Sequence, residues 1–224
     1  MKTYARIDDY EDLYARYLDK PAAEMVDLAG DVKGKVVWDL CCGGGALSAE
    51  CLKRGAATVQ AVDGCSEMTN KLRLAFDGSK DVLAGRFRLE VADVEPWLRY
   101  SLADRPNFVF CRQAVNYWLN GKTVRSLAGR MGNGSVFVFN TFNTRPAEKP
   151  SVKEYGRGGD SFVEVSWLVP PDTVHHVQVR NGMAPHVTAF RWIPPSEYLA
   201  LLGQWYNVDI GESGGTSLYR CVRT

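Results

Sequence analysis

Apolar and polar positions follow two different rhythms along the first 140 residues, and they alternate in order. Val36-Val37-Trp38 is a short apolar run of β propensity, closed by Asp39. Gly43-Gly44-Gly45 then opens a small-residue helical run, Ala46 to Leu52, which Gly55 stops, and Thr58 to Val62 is a second apolar run ending on Asp63. Ser66 stands where a helix cap belongs, Glu67 favours the dipole in the first turn, and the helix reaches Phe76 before Asp77-Gly78-Ser79 breaks it. Arg86 to Val91 alternates as a third strand. Asn107 to Cys111 is a fourth, and its Phe108-Val109-Phe110 suits a strand covered on both faces. Lys122 to Met131 reads as a helix and Ser135 to Asn140 as a fifth strand. Strand and helix in strict alternation predict a parallel, doubly wound sheet.

Beyond residue 143 the rhythm changes. Thr144 to Asp160, rich in Pro, Gly and charge, reads as a loop. Phe162 to Trp167, Val174 to Arg180 and Val187 to Ile193 alternate, separated by Pro170-Pro171-Asp172 and by Asn181-Gly182, so they predict a small antiparallel sheet of three strands. Pro194-Pro195-Ser196-Glu197 starts a helix through Leu202, and Trp205 to Ile210 and Leu218 to Val222 are the last two strands, joined around Gly214-Gly215. At the other end, Ile7, Tyr10, Tyr14, Tyr17 and Leu18 recur at helical spacing, and Pro21 opens a second helix, Ala22 to Leu28. The expected organisation is a helical lid over 1–30, a core over 31–143, a loop and antiparallel insertion over 144–193, and a C-terminal helix and hairpin over 194–224.

Composition narrows the class. A hydrophobic fraction of 46% with 24% charged residues is that of a globular domain, and a net charge of +1, with acids and bases interspersed, lacks the basic stripe of a nucleic-acid protein. The charged N-terminus has no signal core and no stretch approaches a membrane span, so the expectation is a cytoplasmic protein with a small-molecule partner, no nucleic acid and no membrane, a homo-oligomer being left open. The six cysteines contain no CxxC pair, and the three histidines lack a ligand spacing, so no metal is assigned.

The candidate chemistry lies in Lys35 to Asp63: strand, glycine turn, helix, strand, acid. A turn leaving a parallel strand needs positive φ and a backbone close to its ligand, and the helix beyond it offers free N–H groups. In a dinucleotide site these hold a pyrophosphate within G-x-G-x-x-G. Here Ser48 occupies the last glycine position, and Asp39 before the turn suits a cationic ligand better than a pyrophosphate. Asp63 ends the second strand, where a carboxylate can take both ribose hydroxyls, and Asp93 ends the third, where one can accept from an adenine amino group. Three acids at successive strand ends point to S-adenosylmethionine.

On these residues the chain resembles the class I S-adenosylmethionine-dependent methyltransferases of small-molecule type, closely over Lys35 to Asn140 and in layout beyond. The resemblance implies a Rossmann-like α/β fold: a seven-stranded, mostly parallel sheet with an antiparallel last strand, and here a small antiparallel β insertion capping the active site. It implies S-adenosylmethionine as cofactor and S-adenosylhomocysteine as product. The family's acid followed by G-x-G-x-G reads Asp39-Leu40-Cys41-Cys42-Gly43-Gly44-Gly45, with Cys41 in place of the first glycine. By resemblance Asp63-Gly64 carries the ribose motif with Met68 on the adenine, Ala92-Asp93-Val94 the adenine motif, and Arg112-Gln113 borders the methionine portion. If the N-terminal tyrosines form a lid rather than plain packing, Tyr14 faces the cofactor and Tyr10 the acceptor.

Acceptor residues are sought beyond the fourth and fifth strands. Asn116 or Tyr117 could hold the nucleophile, in a segment resembling that of glycine-type N-methyltransferases, and Phe142 and Asn143 end the fifth strand. The insertion offers His186 as a base, with His175, Arg191 and Trp192 as further acceptor contacts; His175 and His176 alternate, so only one of them faces the ligand. The expected reaction is methyl transfer to a nitrogen, or an oxygen or carbon, of a heteroaromatic or amine metabolite. The alternatives left open are an NAD(P)-dependent oxidoreductase and an S-adenosylmethionine fold without methyl transfer.

Overall fold

The computed structural model describes residues 22–142, 145–157, 160–180, 185–213 and 216–224. The predicted helix over Ile7 to Leu18, Tyr10 and Tyr14 included, therefore lies outside the described residues, as do Asn143, the Asn181-Gly182 turn and Gly214-Gly215. Helix α1 (22–29) is followed by β1 (Val36–Leu40), α2 (Ala46–Lys53), β2 (Thr58–Asp63), α3 (Ser66–Phe76), α4 (Lys80–Leu83), β3 (Phe87–Val91), α5 (Val94–Tyr100), β4 (Phe108–Arg112), α6 (Gly121–Arg130) and β5 (Val136–Phe142). Then come β6 (Ser151–Arg157), β7 (Asp160–Val169), β8 (Thr173–Arg180), β9 (His186–Arg191), α7 (Pro195–Leu202), β10 (Tyr206–Ser213) and β11 (Thr216–Arg223).

The main sheet has seven strands in the order β10-β11-β5-β4-β1-β2-β3. β1 to β5 pair in parallel, and β11 is reversed, antiparallel to both β5 and β10. The chain winds outward from β1 through β2 to β3, then crosses back to place β4 on the other side of β1. That reversal opens a crevice between the carboxyl ends of β1 and β4, where open α/β sheets take their ligands. Alternation within each strand sends side chains to two cores. Trp38, Leu40, Val109, Phe137 and Phe139 pack under α5, α6 and α7, while Val37, Val59, Phe108, Phe110 and Val138 pack under α1, α2 and α3. Phe139 stacks on Tyr219 across the β5–β11 pair with ring centroids 4.5 Å apart, so the reversed strand is held by aromatic packing as well as by its ladder.

Three structural expectations need correction. Cys65, not Ser66, is the cap residue of α3, and no side chain caps it. The insertion has four strands rather than three, in the order β6-β7-β8-β9. Residues 151–157, expected as loop, pair along their whole length with β7, from Ser151 opposite Ser166 to Arg157 opposite Asp160. A cross-strand ladder outweighs the low β propensity of Lys, Glu and Gly in that segment.

Candidate active site

The glycine turn is held from both sides by carboxylates. Gly43 (φ +51°) and Gly45 (φ +81°) have the left-handed backbone that glycine adopts without penalty. Cys41, in the position of the family's first glycine, has the same conformation at φ +56° and has to carry its Cβ there, at a cost of about 1 kcal/mol. Asp63, half-buried at the end of β2, accepts from the Gly43 N–H at 2.9 Å through one oxygen and from the Cys65 N–H at 2.8 Å through the other. It thereby ties the turn after β1 to the turn after β2. Burial raises its pKa, and these two N–H groups oppose the rise.

Asp39 has a different task. It is fully buried, and one of its oxygens accepts both the N–H and the hydroxyl of Ser48, at 3.0 and 2.7 Å. It pins the first turn of α2 beneath the glycines. Burial pushes its carboxyl up to about 6, against the lowering effects of Ser48 and Arg112.

A cavity of about 340 Å³, within the range of small-ligand sites, opens at the β1–β4 crevice. Of the residues read from the sequence as cofactor ligands, Cys41, Gly43, Asp63, Gly64, Met68, Asp93, Val94, Arg112 and Gln113 line it; Asp39, Gly45 and Ala92 do not. Gly45 instead backs onto Leu72 of α3, and Ala92 donates its N–H to the Asp63 carbonyl oxygen. The motifs did not single out Cys42, Gly44, Cys65, Glu95, Pro96, Ala114, Trp118 or Asn120, which also form the wall. The cysteines follow from the turn itself, and Trp118 is fixed by donating its indole N–H to Cys111 Sγ at 3.4 Å. The Cys41 thiol is pushed well above the usual thiol range, first by its hydrogen bond with the free thiol of Cys111 and then by desolvation.

Gly64 permits the approach of the two acids. A Cβ built on it would lie 2.6 Å from Asp93 Oδ1, so the Asp93 carboxylate folds over the bare glycine toward Asp63, whose pKa it raises. Two carboxylates facing one cavity call for a ligand rich in donors. Gly64→Ala would push the exposed Asp93 side chain aside while leaving the core untouched. We expect a fold stability within about 0.5 kcal/mol of wild type and a nucleotide affinity lowered roughly 10-fold, read by urea unfolding and by calorimetry with S-adenosylhomocysteine.

On the acceptor side the structure divides the sequence candidates. Tyr117 lines the cavity from a single 3-10 turn, Val115–Tyr117, whereas Asn116 in the same turn does not. Tyr117 packs edge-on against Phe190 of β9 at 5.9 Å, and Phe190 stacks on Phe142 at 6.0 Å, joining the insertion to the cavity rim. His176 alternates onto the face of the inserted sheet that carries Phe190, and is held by Ser166 Oγ at 2.7 Å from its Nδ1. His175 takes the opposite face, stacked on Trp167 at 5.3 Å, away from the rim. Arg191 shares that outer face and is committed to Asp172 and Glu197, at 2.7 and 2.9 Å. Trp192 lies beneath the Arg145 guanidinium, 5.8 Å from its ring centroid, and is not part of the wall. Only the backbone of His186 is described. Among the described residues no group of three or more His, Cys, Asp or Glu gathers as a metal site, and no helix is long and apolar enough to cross a membrane.

No protein-family model and no curated protein matches the chain. Solved structures do. CalS10 of Micromonospora echinaspora, an amino pentose methyltransferase solved with S-adenosylmethionine, superposes with a TM-score of 0.75 at 17% identity, over 96% of each chain. Streptomyces venezuelae DesVI gives 0.72 at 19% identity, over 97% of this chain and 98% of its own. A methyltransferase of Clostridium acetobutylicum ATCC 824 gives 0.72 at 16%, over 98% and 97%. The fold is that of the S-adenosylmethionine-dependent methyltransferases. The matched spans are nearly complete in both directions, so they take in the inserted sheet as well as the alternating α/β half.

Proposed function

We propose that the protein transfers a methyl group from S-adenosylmethionine to a nucleophilic atom of a small molecule, a nitrogen before an oxygen or carbon, in an amine or heteroaromatic metabolite. The observation that carries this reading is the pair Asp63 and Asp93 converging over Gly64 on one cavity, next to a glycine turn whose Gly43 N–H is already committed to Asp63. A pyrophosphate would meet two carboxylates there. Ribose hydroxyls and an adenine amino group would meet two acceptors, and the buried Met68 offers an apolar surface for a purine ring. Arg112, on the same wall, suits the α-carboxylate of the methionine part.

The cofactor supplies an activated methyl group on a sulfonium, and the chain's residues bind, orient and exclude water around it. Tyr117 lines the cavity, and Phe190 with Phe142, which do not line it, pack behind Tyr117 at the rim; an apolar surface there favours a neutral nucleophile over a hydrated ammonium. A nitrogen acceptor also agrees with what similar folds are described as doing: KedS8 of Streptoalloteichus is a sugar N-methyltransferase and MtfA a glycopeptide N-methyltransferase.

Thermal-shift titration tests the reading first. We expect stabilisation by S-adenosylhomocysteine and none by NAD(P)H; the reverse result would sink it. Methyl transfer from labelled S-adenosylmethionine to a panel of amines and heteroaromatics is the second step, and cofactor binding without any methylated product would reduce the protein to a binding module.

A further inference from the structure

The wall that carries Tyr117 depends on one unusual residue. Gln113, the first residue after β4, has φ +55°, and it is the second of only two non-glycine residues with positive φ among those described. It turns the chain out of β4 through Ala114 (φ −130°, ψ 0°) into the 3-10 turn, so that residues 113–118 fold back over the cavity. A glutamine holds that conformation at a cost of about 1 kcal/mol, because its Cβ crowds the backbone. Its N–H donates at 2.9 Å to the side-chain Oδ1 of Asn140. Asn140 sits on β5 directly opposite Arg112, is only 2% exposed, and is flanked on its other side by Leu218 of β11. A buried amide in the middle of a sheet otherwise packed with phenylalanine and valine calls for a reason.

We infer that Asn140 is a positioning residue: its buried carboxamide holds Gln113 in the left-handed conformation and so sets the path of 113–118, the wall shared by cofactor and acceptor. Asn140 does not line the cavity and acts only through Gln113. The far end of the segment is anchored independently, by Trp118 on Cys111 and by Asn120, whose side chain accepts from the Lys122 and Thr123 N–H groups at 2.9 and 3.1 Å. At the near end Val115 is buried in the core, and the Gln113 N–H that opens the segment is held by the bond to Asn140. Its consequence for turnover rests on the methyl-transfer reading; its effect on the backbone does not.

The test is a double-mutant cycle with two readouts, S-adenosylhomocysteine affinity by calorimetry and amide hydrogen exchange of residues 113–118 by mass spectrometry. Asn140→Leu fills the buried space without an acceptor; Asn140→Asp keeps one. Gln113→Gly removes the cost of the left-handed backbone and so the need for the restraint. We expect Asn140→Leu to weaken binding roughly 10-fold and to speed exchange in 113–118 several-fold, with Asn140→Asp close to wild type in exchange. In the Gln113→Gly background the same leucine change is expected to move affinity less than about 2-fold. If Asn140→Leu fails to fold, Asn140→Ser, whose hydroxyl is too short to reach Gln113, takes its place. Equal losses in both backgrounds, or a lowered melting temperature with affinity and exchange unchanged, would overturn the inference. A wild-type protein that ignores S-adenosylhomocysteine while Asn140→Leu still loosens 113–118 would discard the cofactor reading and leave the positioning role standing.

Discussion

Asp63→Ala is expected to lower affinity for S-adenosylhomocysteine by about 100-fold or more, because two kinds of interaction are lost together. The carboxylate accepts the Gly43 and Cys65 N–H groups, so its removal leaves two amides of the binding loops without their acceptors and frees the glycine turn from β2. It also removes the charged acceptor that faces the proposed ribose. A hydrogen bond to a charged group is worth about 1.5–3 kcal/mol, and losing several at one site exceeds two decades in binding. Asp63→Asn separates the two contributions. Its amide keeps one oxygen but sets an NH₂ against the other N–H, so it should recover part of the stability and little of the affinity. Calorimetry on the three proteins, with urea unfolding alongside, gives both quantities. Unchanged affinity in Asp63→Ala would count against the whole nucleotide assignment.

The residues behind that prediction were readable in the sequence for a physical reason. A strand-end acid, a glycine turn and the helix after it lie within thirty residues, and strand–helix alternation fixes which strand ends share an edge of the sheet. Asp63 and Asp93 could be placed from that logic alone, and Gly64 from the resemblance to the family's ribose motif. Asp39 was visible as an acid but not for its task, because its partner Ser48 is reached only once the turn closes. Asn140 was not legible: it matters through the β4–β5 register, which sets it opposite Arg112, and no spacing in the chain encodes that pairing. The inserted sheet was harder still. Period-two alternation splits His175 from His176 without saying which face turns inward; the packing of Phe190 on Tyr117 decides it. Strand β6 reads Ser-Val-Lys-Glu-Tyr-Gly-Arg, a sequence that becomes a strand only because β7 is there to pair with it.

Asp39 carries the second large effect, on stability rather than binding. Its carboxyl titrates at about 6 in the folded protein against an ordinary value of 3.8, chiefly because burial disfavours the charge. The folded chain therefore holds this proton more tightly than the unfolded one. Well below pH 3.8 both states are protonated and Asp39 costs nothing; as pH rises to about 6 the unfolded chain ionises first, and stability falls until both have ionised. That interval corresponds to about 3 kcal/mol, lost by pH 7. Asp39→Asn keeps an oxygen for the Ser48 N–H and hydroxyl and cannot ionise. Relative to wild type it should gain about 2 kcal/mol between pH 4 and pH 7, whatever constant offset its NH₂ group brings. Urea unfolding of both proteins across that range reads the difference directly. A difference that does not grow with pH would refute the buried-charge account. The same pair of proteins decides what Asp39 does for the ligand. If it only pins α2, the substitution leaves the preference between S-adenosylmethionine and S-adenosylhomocysteine unchanged; if it faces the cationic sulfonium, the preference shifts toward the neutral product.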